Sequence, residues 1–259
     1  MERLRSARTS CNSMLRQCKS LFSIERLELL KLAIESPFAR IKLDRAGDMR
    51  FKGGIDAAAL VKAAVSQLAS DPECLKAFIL TLACGLRRSE ADKLEWSAID
   101  FERAILHVGP TKFLHAKSEK SIGDIDLDTA TVALLRGFYA KRQGNFVLES
   151  ATAPRLAAAY SHYRAHKTFE RLLLWLRAQG IKNRTPIHTL RKLFGSLICE
   201  EFGIFAASSA LRHSSIAITE GHYVVKRGKT SVKLESLLSE GDKVIPMPKK
   251  RGSKKQRAA

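Results

Sequence analysis

The sequence has few cysteines and no long apolar run. Its five cysteines are odd in number, widely spread and never form a Cys-x-x-Cys pair, which is typical of reduced, mostly buried thiols. The N-terminus lacks the sustained apolar stretch of a secretory signal, and no segment approaches the ~20 apolar residues that a membrane span requires. These absences predict a cytoplasmic protein that does not associate with membranes.

Acidic residues are scarce relative to basic ones. The chain has 26 Asp and Glu against 45 Lys and Arg, which gives a net charge of +19 and a pI near 10. Six of the cations lie in residues 249–259, which contain no acid, so the rest of the chain keeps +13 of the +19. A basic body with a basic tail indicates a nucleic acid partner, although charge alone leaves open nonspecific RNA binding.

The apolar spacing is mainly helical, with one short β region. Apolar residues repeat at i, i+3, i+4 and i+7 between Leu75 and Leu82, which predicts a core-facing helix that Gly85 ends. Ser89 is predicted to cap the next helix. Other predicted helices cover 12–36, 56–69, 129–142, 154–179 and 187–202, and the strand-like segments are 104–108 and 121–127. The predicted fold is mainly α with a small antiparallel β-sheet (α+β).

Two adjacent arginines, Arg87 and Arg88, lie at the predicted junction between two helices. Arg87 follows the helix-ending Gly85, a position from which its guanidinium can point into a cleft. Arginine suits a phosphate because its planar fork donates two parallel hydrogen bonds and keeps its charge. Taken alone, such a pair is more often solvated surface.

Two histidines, another arginine and a tyrosine follow later in the chain. His188 and Arg191 are three apart in a predicted helix and therefore share a face. Tyr223, one of only four tyrosines, lies ten residues after His213. With a lysine from the loop between the strands, these residues describe a pocket for a phosphodiester. Its cations would hold the phosphate oxygens while the phenol attacks phosphorus.

The order Arg, Lys, His-x-x-Arg, His, Tyr resembles the tyrosine recombinases, the phage integrase family. The resemblance covers about residues 54–225 and rests on boxes that occur in the right order. The boxes are Gly85-Leu86-Arg87-Arg88-Ser89-Glu90, His188-Thr189-Leu190-Arg191 and Leu211-Arg212-His213-Ser214. The last box departs twice from the family pattern. Arg212 replaces a glycine, and the usual nucleophile position, nine after His213, is His222, so the longer spacing of ten selects Tyr223.

The family carries its catalytic lysine on a β-hairpin turn, and this loop holds three lysines. The stretch Lys117-Ser118-Glu119-Lys120-Ser121 resembles the family's Lys-x-x-x-Ser segment before an apolar strand. We therefore predict Lys117 as the catalytic lysine, with Lys112 as the alternative.

The resemblance implies a role for each residue of the pocket. Cations would clamp the non-bridging oxygens, and the tyrosine would attack to give a covalent 3′-phosphotyrosine. His188 would assist its deprotonation, and Lys117 would protonate the leaving 5′ oxygen. Glu90 stands at the family's acidic position, which orients a histidine or an arginine of the pocket. The implied catalytic set is Arg87, Lys117, His188, Arg191, His213 and Tyr223, without any metal or other cofactor.

The resemblance also implies partners and domains. The expected partner is double-stranded DNA at the nucleoid, bound at paired sites by an oligomer, a tetramer in the family. Residues 1–45 correspond to a remnant of a helical core-binding domain with a linker, 46–242 to the catalytic domain, and 243–259 to a disordered basic tail. A site-specific recombinase or integrase is the implied function. A truncated DNA-binding remnant and a type IB topoisomerase-like enzyme remain open.

Overall fold

A computed structural model describes residues 2–32, 34–44, 54–114, 121–156, 163–213 and 215–223. Helices dominate these residues, with a small sheet after the fifth helix. The helices are α1 Glu2–Leu21, α2 Ile24–Leu29, α3 Ala57–Gln67, α4 Pro72–Leu82, α5 Arg88–Lys93, α6 Thr129–Tyr139, α7 His166–Ala178, α8 Pro186–Ala210 and α9 Ile216–Tyr223. The strands are β1 Ile99–Asp100, β2 Ile105–Val108 and β3 Gly123–Asp126.

The sheet is antiparallel, with the order β1-β2-β3. Leu106 of β2 pairs with Ile125 of β3, and both side chains are buried. The next residue of β2, His107, is exposed. This alternation places one face of the sheet on the core. The structure confirms the predicted α+β class. It adds β1, whose two residues are too few to show any alternation in the sequence.

Helix α4 lies at the centre of the core. Asp71 caps its N-terminus by accepting a hydrogen bond from the Cys74 amide, and Pro72 occupies the first turn. All its residues from Cys74 to Leu82 are buried, and both α7 and α8 pack against it. The predicted core-facing helix is thus confirmed, and it supports the segment that carries Arg87.

Two predicted helices have different limits in the structure. The helix predicted over 12–36 starts at Glu2 and is broken into α1 and α2, and the left-handed backbone of Lys31 (φ 53°) ends α2. Within the helix predicted over 154–179, residues 154–156 and 163–165 are not helical, and α7 begins at His166. The amides of Arg164 and Ala165 just before it are instead bound by the Asp92 carboxylate, at 2.9 and 2.8 Å. A tertiary contact therefore sets this boundary.

The helix predicted over 187–202 is broken at Gly203, where it was expected to end, and α8 as a whole runs on to Ala210. Gly203 has non-helical backbone angles (φ 86°, ψ 175°), but a helical segment resumes after it and continues to Ala210. Among the described residues, α8 is the helix long and apolar enough to cross a membrane by length and composition. Its buried side instead packs on α4 and α7 and includes the charged Arg191, so we interpret it as a core helix.

An ion pair joins the start of α4 to α7. The Arg171 Nε donates to Asp71 Oδ2 at 2.6 Å, and Asp71 is only partly exposed. The hydrogen bond from Arg171 outweighs the effect of burial and lowers the pKa of Asp71 to about 2, from an ordinary value of 3.8. A depressed pKa means that the ionised carboxylate stabilises the folded state, fully above pH 3.8 and less as the pH falls toward 2.

We therefore expect Asp71→Asn to lower the free energy of unfolding by about 1 kcal/mol at neutral pH, a figure discounted because the Arg171 side chain is half exposed. The amide keeps an oxygen for the cap and removes only the charge. Urea unfolding of both chains at pH 7 and at pH 3 measures the effect. The difference should shrink at the lower pH, and a difference that does not depend on pH would contradict this origin.

Candidate active site

A tight turn at Gly85 brings α4, α5 and α8 together. Gly85 has a left-handed backbone (φ +58°), and a Cβ atom there would lie 2.4 Å from the ring of Phe194 on α8. Only glycine combines that conformation with such a close approach. The turn places Arg87 two residues later, at the end of α5 that meets α8.

Arg87 is the N-cap residue of α5. Its amide donates to Glu90 Oε2 at 2.8 Å, and its Nη1 donates to Glu90 Oε1 at 2.5 Å. The prediction that Ser89 caps this helix is therefore wrong, because Glu90 reaches back to the Arg87 amide and starts the helix two residues earlier. The Arg87 side chain remains 28% exposed, so it can reach a ligand.

The Glu90 carboxylate is surrounded by three guanidiniums from three separate parts of the chain. Besides Arg87, Arg212 Nη2 lies 2.7 Å from Glu90 Oε2 and Arg191 Nη1 lies 3.8 Å from the same oxygen. Burial opposes the ionisation of Glu90. The charges of Arg212, Arg87 and Arg191 outweigh it and hold the pKa of Glu90 below its ordinary value. Glu90 is therefore a carboxylate at neutral pH.

Arg191 is held by main-chain carbonyls on both sides of the cluster. Its Nη1 donates to the Gly85 oxygen and its Nη2 to the Leu211 oxygen, and the residue is 2% exposed. Arg191 thus joins the turn before α5 to the turn after α8. These two hydrogen bonds fix the position of its guanidinium beside Glu90.

His213 connects the cluster to α9. It is half-buried, and its Nδ1 lies 2.8 Å from the hydroxyl of Thr219, a fully buried residue on α9. The last residue of α9 is Tyr223, one helical turn after Thr219. The backbone of α9 therefore brings the predicted tyrosine into the same region as His213.

The structure describes only some of the remaining predicted site residues. His188 lies in the first turn of α8, one turn before Arg191, and is exposed. Lys117 lies outside the described residues. Lys112 follows β2, with its Nζ 5.0 Å from the ring of Phe113. The structure thus brings Arg87, Glu90 and Arg191 into direct contact and leaves both lysine assignments as predictions.

A cleft of about 220 Å³ opens beside Glu90. One wall is formed by the α5 end and the segment after it, including Leu94 and Glu95, and the opposite wall by the end of β2 from His107 to Thr111. The segment between β2 and β3, which holds both candidate lysines, therefore begins at the rim of this cleft.

Arg88 differs sharply from Arg87. Its guanidinium stacks on the ring of Tyr163 at 4.1 Å and on that of Phe169 at 4.8 Å, and its Nη2 lies 3.4 Å from His166 Nδ1. Arg88 therefore packs against the α7 start and is not solvated surface. The neighbouring arginines make separate contacts, and Arg87 is the one that contacts Glu90.

Two of the five cysteines, Cys74 and Cys84, are buried. Burial, with a contribution from Asp71, raises the pKa of Cys74 to about 12, and burial also raises that of Cys84 to about 12. Such thiols are protonated at neutral pH and are poor nucleophiles. Within the same described residues, no group of three or more His, Cys, Asp or Glu side chains could hold a metal ion.

Sequence reasoning missed the contact between Arg212 and Glu90. The signal was present, since Arg212 replaces the glycine of the family's third box, but a substitution does not reveal where its side chain goes. Arg212 has a left-handed backbone (φ 50°), as a glycine there would allow, and its side chain turns inward onto Glu90. The buried Thr219 was also missed, because a lone threonine carries no pattern.

The chain matches the phage integrase family over residues 56–229. No curated protein sequence matches it significantly. The match to the family includes every predicted site residue from Arg87 to Tyr223.

Solved structures share the fold. The Tn1549 transposon integrase in complex with a circular intermediate DNA is 15% identical, with a TM-score of 0.58 over 86% of this chain and 77% of that one. A lambda integrase dimer bound to a COC′ core site is 16% identical, with a TM-score of 0.59 over 87% of this chain and 76% of that one. At such identities the likeness is one of fold.

Proposed function

Because the chain belongs to the phage integrase family, we propose that it is a site-specific recombinase that cleaves and rejoins double-stranded DNA through a covalent 3′-phosphotyrosine. The observation that carries this proposal is the cluster of Arg87, Arg191 and Arg212 around the buried Glu90. The three arginines come from three distant segments, and two of them are the predicted phosphate ligands.

The charge of this cluster supports a phosphodiester as its ligand. Three guanidiniums and one carboxylate sum to +2, and most of these groups are shielded from water. Positive charge that is fixed in a weakly solvated site attracts an anion strongly. Arg87, the most exposed of the three, would bind a phosphate oxygen directly while Glu90 holds its other side.

The chemistry needs no external energy source. Tyr223 would attack phosphorus, the bond to the 5′ oxygen would break, and a lysine would give that oxygen a proton. The phosphotyrosine keeps the energy of the phosphodiester, so that a 5′ hydroxyl of another strand can later reverse the step. During attack, charge grows on the non-bridging oxygens, which Arg87, Arg191 and His213 would stabilise.

The geometry of α9 supports Tyr223 over its neighbour as the nucleophile. At about 100° per residue, position 223 lies about 40° from Thr219 around the helix axis, whereas position 222 lies about 60° away on the other side. Thr219 binds His213. The tyrosine position is thus the one closer to the helix face that contacts this histidine.

We propose Lys117 as the general acid, and the two candidate lysines can be separated chemically. A DNA substrate with sulfur at the 5′-bridging position has a leaving group that needs no proton. We expect Lys117→Ala to cleave normal DNA poorly and this substrate at nearly the parental rate, as measured in single turnover. If the sulfur rescues Lys112→Ala and leaves Lys117→Ala slow, Lys112 is the acid.

Strand exchange tests the proposed function against its two alternatives. Two labelled duplexes that carry the DNA flanking the gene should yield joined products of recombined length. A type IB topoisomerase-like enzyme would relax a supercoiled plasmid but exchange no strands. A non-catalytic remnant would bind without either reaction. We also propose that the protein acts as a tetramer on paired sites, so exchange should occur in a sedimenting complex that holds both duplexes.

A further inference from the structure

Arg212 has an unusual combination of a left-handed backbone and a buried, charged side chain. It stands between Leu211, whose carbonyl binds Arg191, and His213, which binds Thr219. Its backbone is left-handed (φ 50°), a conformation that strains an L residue other than glycine. A large charged side chain at this position must therefore be stabilised by its contacts.

The Arg212 side chain occupies a narrow slot between Glu90 and Gly123. This side chain is 2% exposed, and its Nη2 donates to Glu90 Oε2 at 2.7 Å. The aliphatic stem packs beside Gly123 of β3, where a Cβ would lie 3.6 Å from Arg212 Cδ, an ordinary contact distance. The slot thus joins the sheet, the turn after α8 and the acid of α5.

The hydrogen bond from Arg212 also determines which oxygen of the Glu90 carboxylate faces the Arg87 guanidinium. Oxygen Oε2 accepts from Arg212 and from the Arg87 amide, which leaves Oε1 directed at Arg87 Nη1. Arg212 therefore fixes one end of the carboxylate and Arg87 is bound by the other. A shift of Arg212 would rotate the carboxylate and move the one guanidinium of the cluster that is partly exposed.

We propose that Arg212 is a positioning residue of the phosphate pocket, which acts through Glu90 to hold the Arg87 guanidinium in place and adds a buried positive charge behind the phosphate. The inference deepens the proposed function and rests on it. The glycine that the family pattern has at this position could supply neither effect. The chain thus uses an arginine of its own to complete the pocket.

Three substitutions separate positioning from folding. Arg212→Met keeps the stem against Gly123 and loses the charge, Arg212→Lys keeps the charge, and Arg212→Gly relieves the strained backbone. In single turnover at saturating DNA, we expect Arg212→Met and Arg212→Gly to cleave at least ~10-fold more slowly, with DNA affinity within about twofold of the parent. Arg212→Lys should recover much of the rate. Rates are normalised to the folded fraction, measured by circular dichroism.

A double variant with Glu90 tests whether Arg212 acts through this carboxylate. If Arg212 acts through Glu90 as well as by its charge, the double variant Glu90→Gln with Arg212→Met should cleave faster than the product of the two single losses predicts. Losses that multiply would overturn this route. A normalised rate of Arg212→Gly equal to or above that of the parent would overturn the whole inference, since the arginine would then be dispensable or obstructive.

Binding of inorganic orthophosphate distinguishes this inference from the proposed function. Titration calorimetry on the Tyr223→Phe chain should show phosphate binding that Arg212→Met weakens at least ~3-fold and Arg212→Lys largely restores. If the parent forms no adduct with DNA but this dependence is observed, the proposed function fails and the inference stands. If the parent cleaves DNA and Arg212→Met matches it in both rate and phosphate affinity, the inference fails and the function stands.

Discussion

Tyr223→Phe is expected to bind DNA as tightly as the parent chain and to form no covalent protein–DNA adduct. Phenylalanine keeps the aromatic ring and removes only the oxygen that attacks phosphorus. Because the step requires a nucleophile, the loss should be complete within the detection limit of the assay. A nicked suicide duplex, from which the cleaved strand end diffuses away, traps the adduct on a denaturing gel, and a mobility shift measures binding.

The three other tyrosines supply matched controls. Tyr139 stacks on Trp96 and Phe101, and Tyr163 lies under Arg88, so both have structural partners away from Glu90. Tyr139→Phe, Tyr160→Phe and Tyr163→Phe should retain adduct formation. If Tyr223→Phe still forms the adduct and one of the control variants does not, the nucleophile is misassigned.

Loss of either predicted phosphate ligand is expected to have the next largest effect. Arg87→Ala and Arg191→Ala should each slow cleavage by at least ~10²-fold, the scale seen when one preorganised donor is removed. Arg87 is partly exposed, so its loss should spare folding. Arg191→Ala also leaves two buried carbonyls without their donor, so its rate must be compared per folded molecule.

Arg88 is the matched control for these variants. It is adjacent in sequence and identical in charge, but it packs on Tyr163 and Phe169 rather than on Glu90. Arg88→Met should therefore lose some stability, seen as a lower melting temperature, and far less of the cleavage rate than Arg87→Ala. Equal losses of rate at the two positions would contradict the assignment of Arg87.

The sequence predicted those parts of the fold that depend on local patterns. The i, i+3, i+4 spacing located α4, and the paired strand-like segments located β2 and β3. The boundary of α7 depends on a distant group, because the Asp92 carboxylate binds the amides just before the helix from 72 and 73 residues away. No local window contains both partners of those contacts. The start of α5 is different, since Glu90 lies only three residues from Arg87 and the choice of Ser89 overlooked this local capping contact.

In the candidate site, too, the sequence pattern predicted some residues, while others depend on tertiary contacts. The order of the boxes predicted Arg87, Glu90 and Arg191 as residues of one site, and the structure places both arginines at Glu90. The place of Arg212 could not be predicted, because its side chain reaches Glu90 across 122 residues. A replaced glycine indicated a departure from the family pattern, but only the packing against Gly123 shows that the departure fills a slot.

Peptide mapping of the trapped adduct tests the central claim most directly. The parent chain, incubated with a suicide duplex carrying the DNA that flanks its gene, is digested with protease and nuclease and analysed by mass spectrometry. Our account predicts one modified peptide, with a nucleotide joined through its 3′ phosphate to Tyr223. A modified His222, Tyr139, Tyr160 or Tyr163, or a 5′ phosphate linkage, would contradict it.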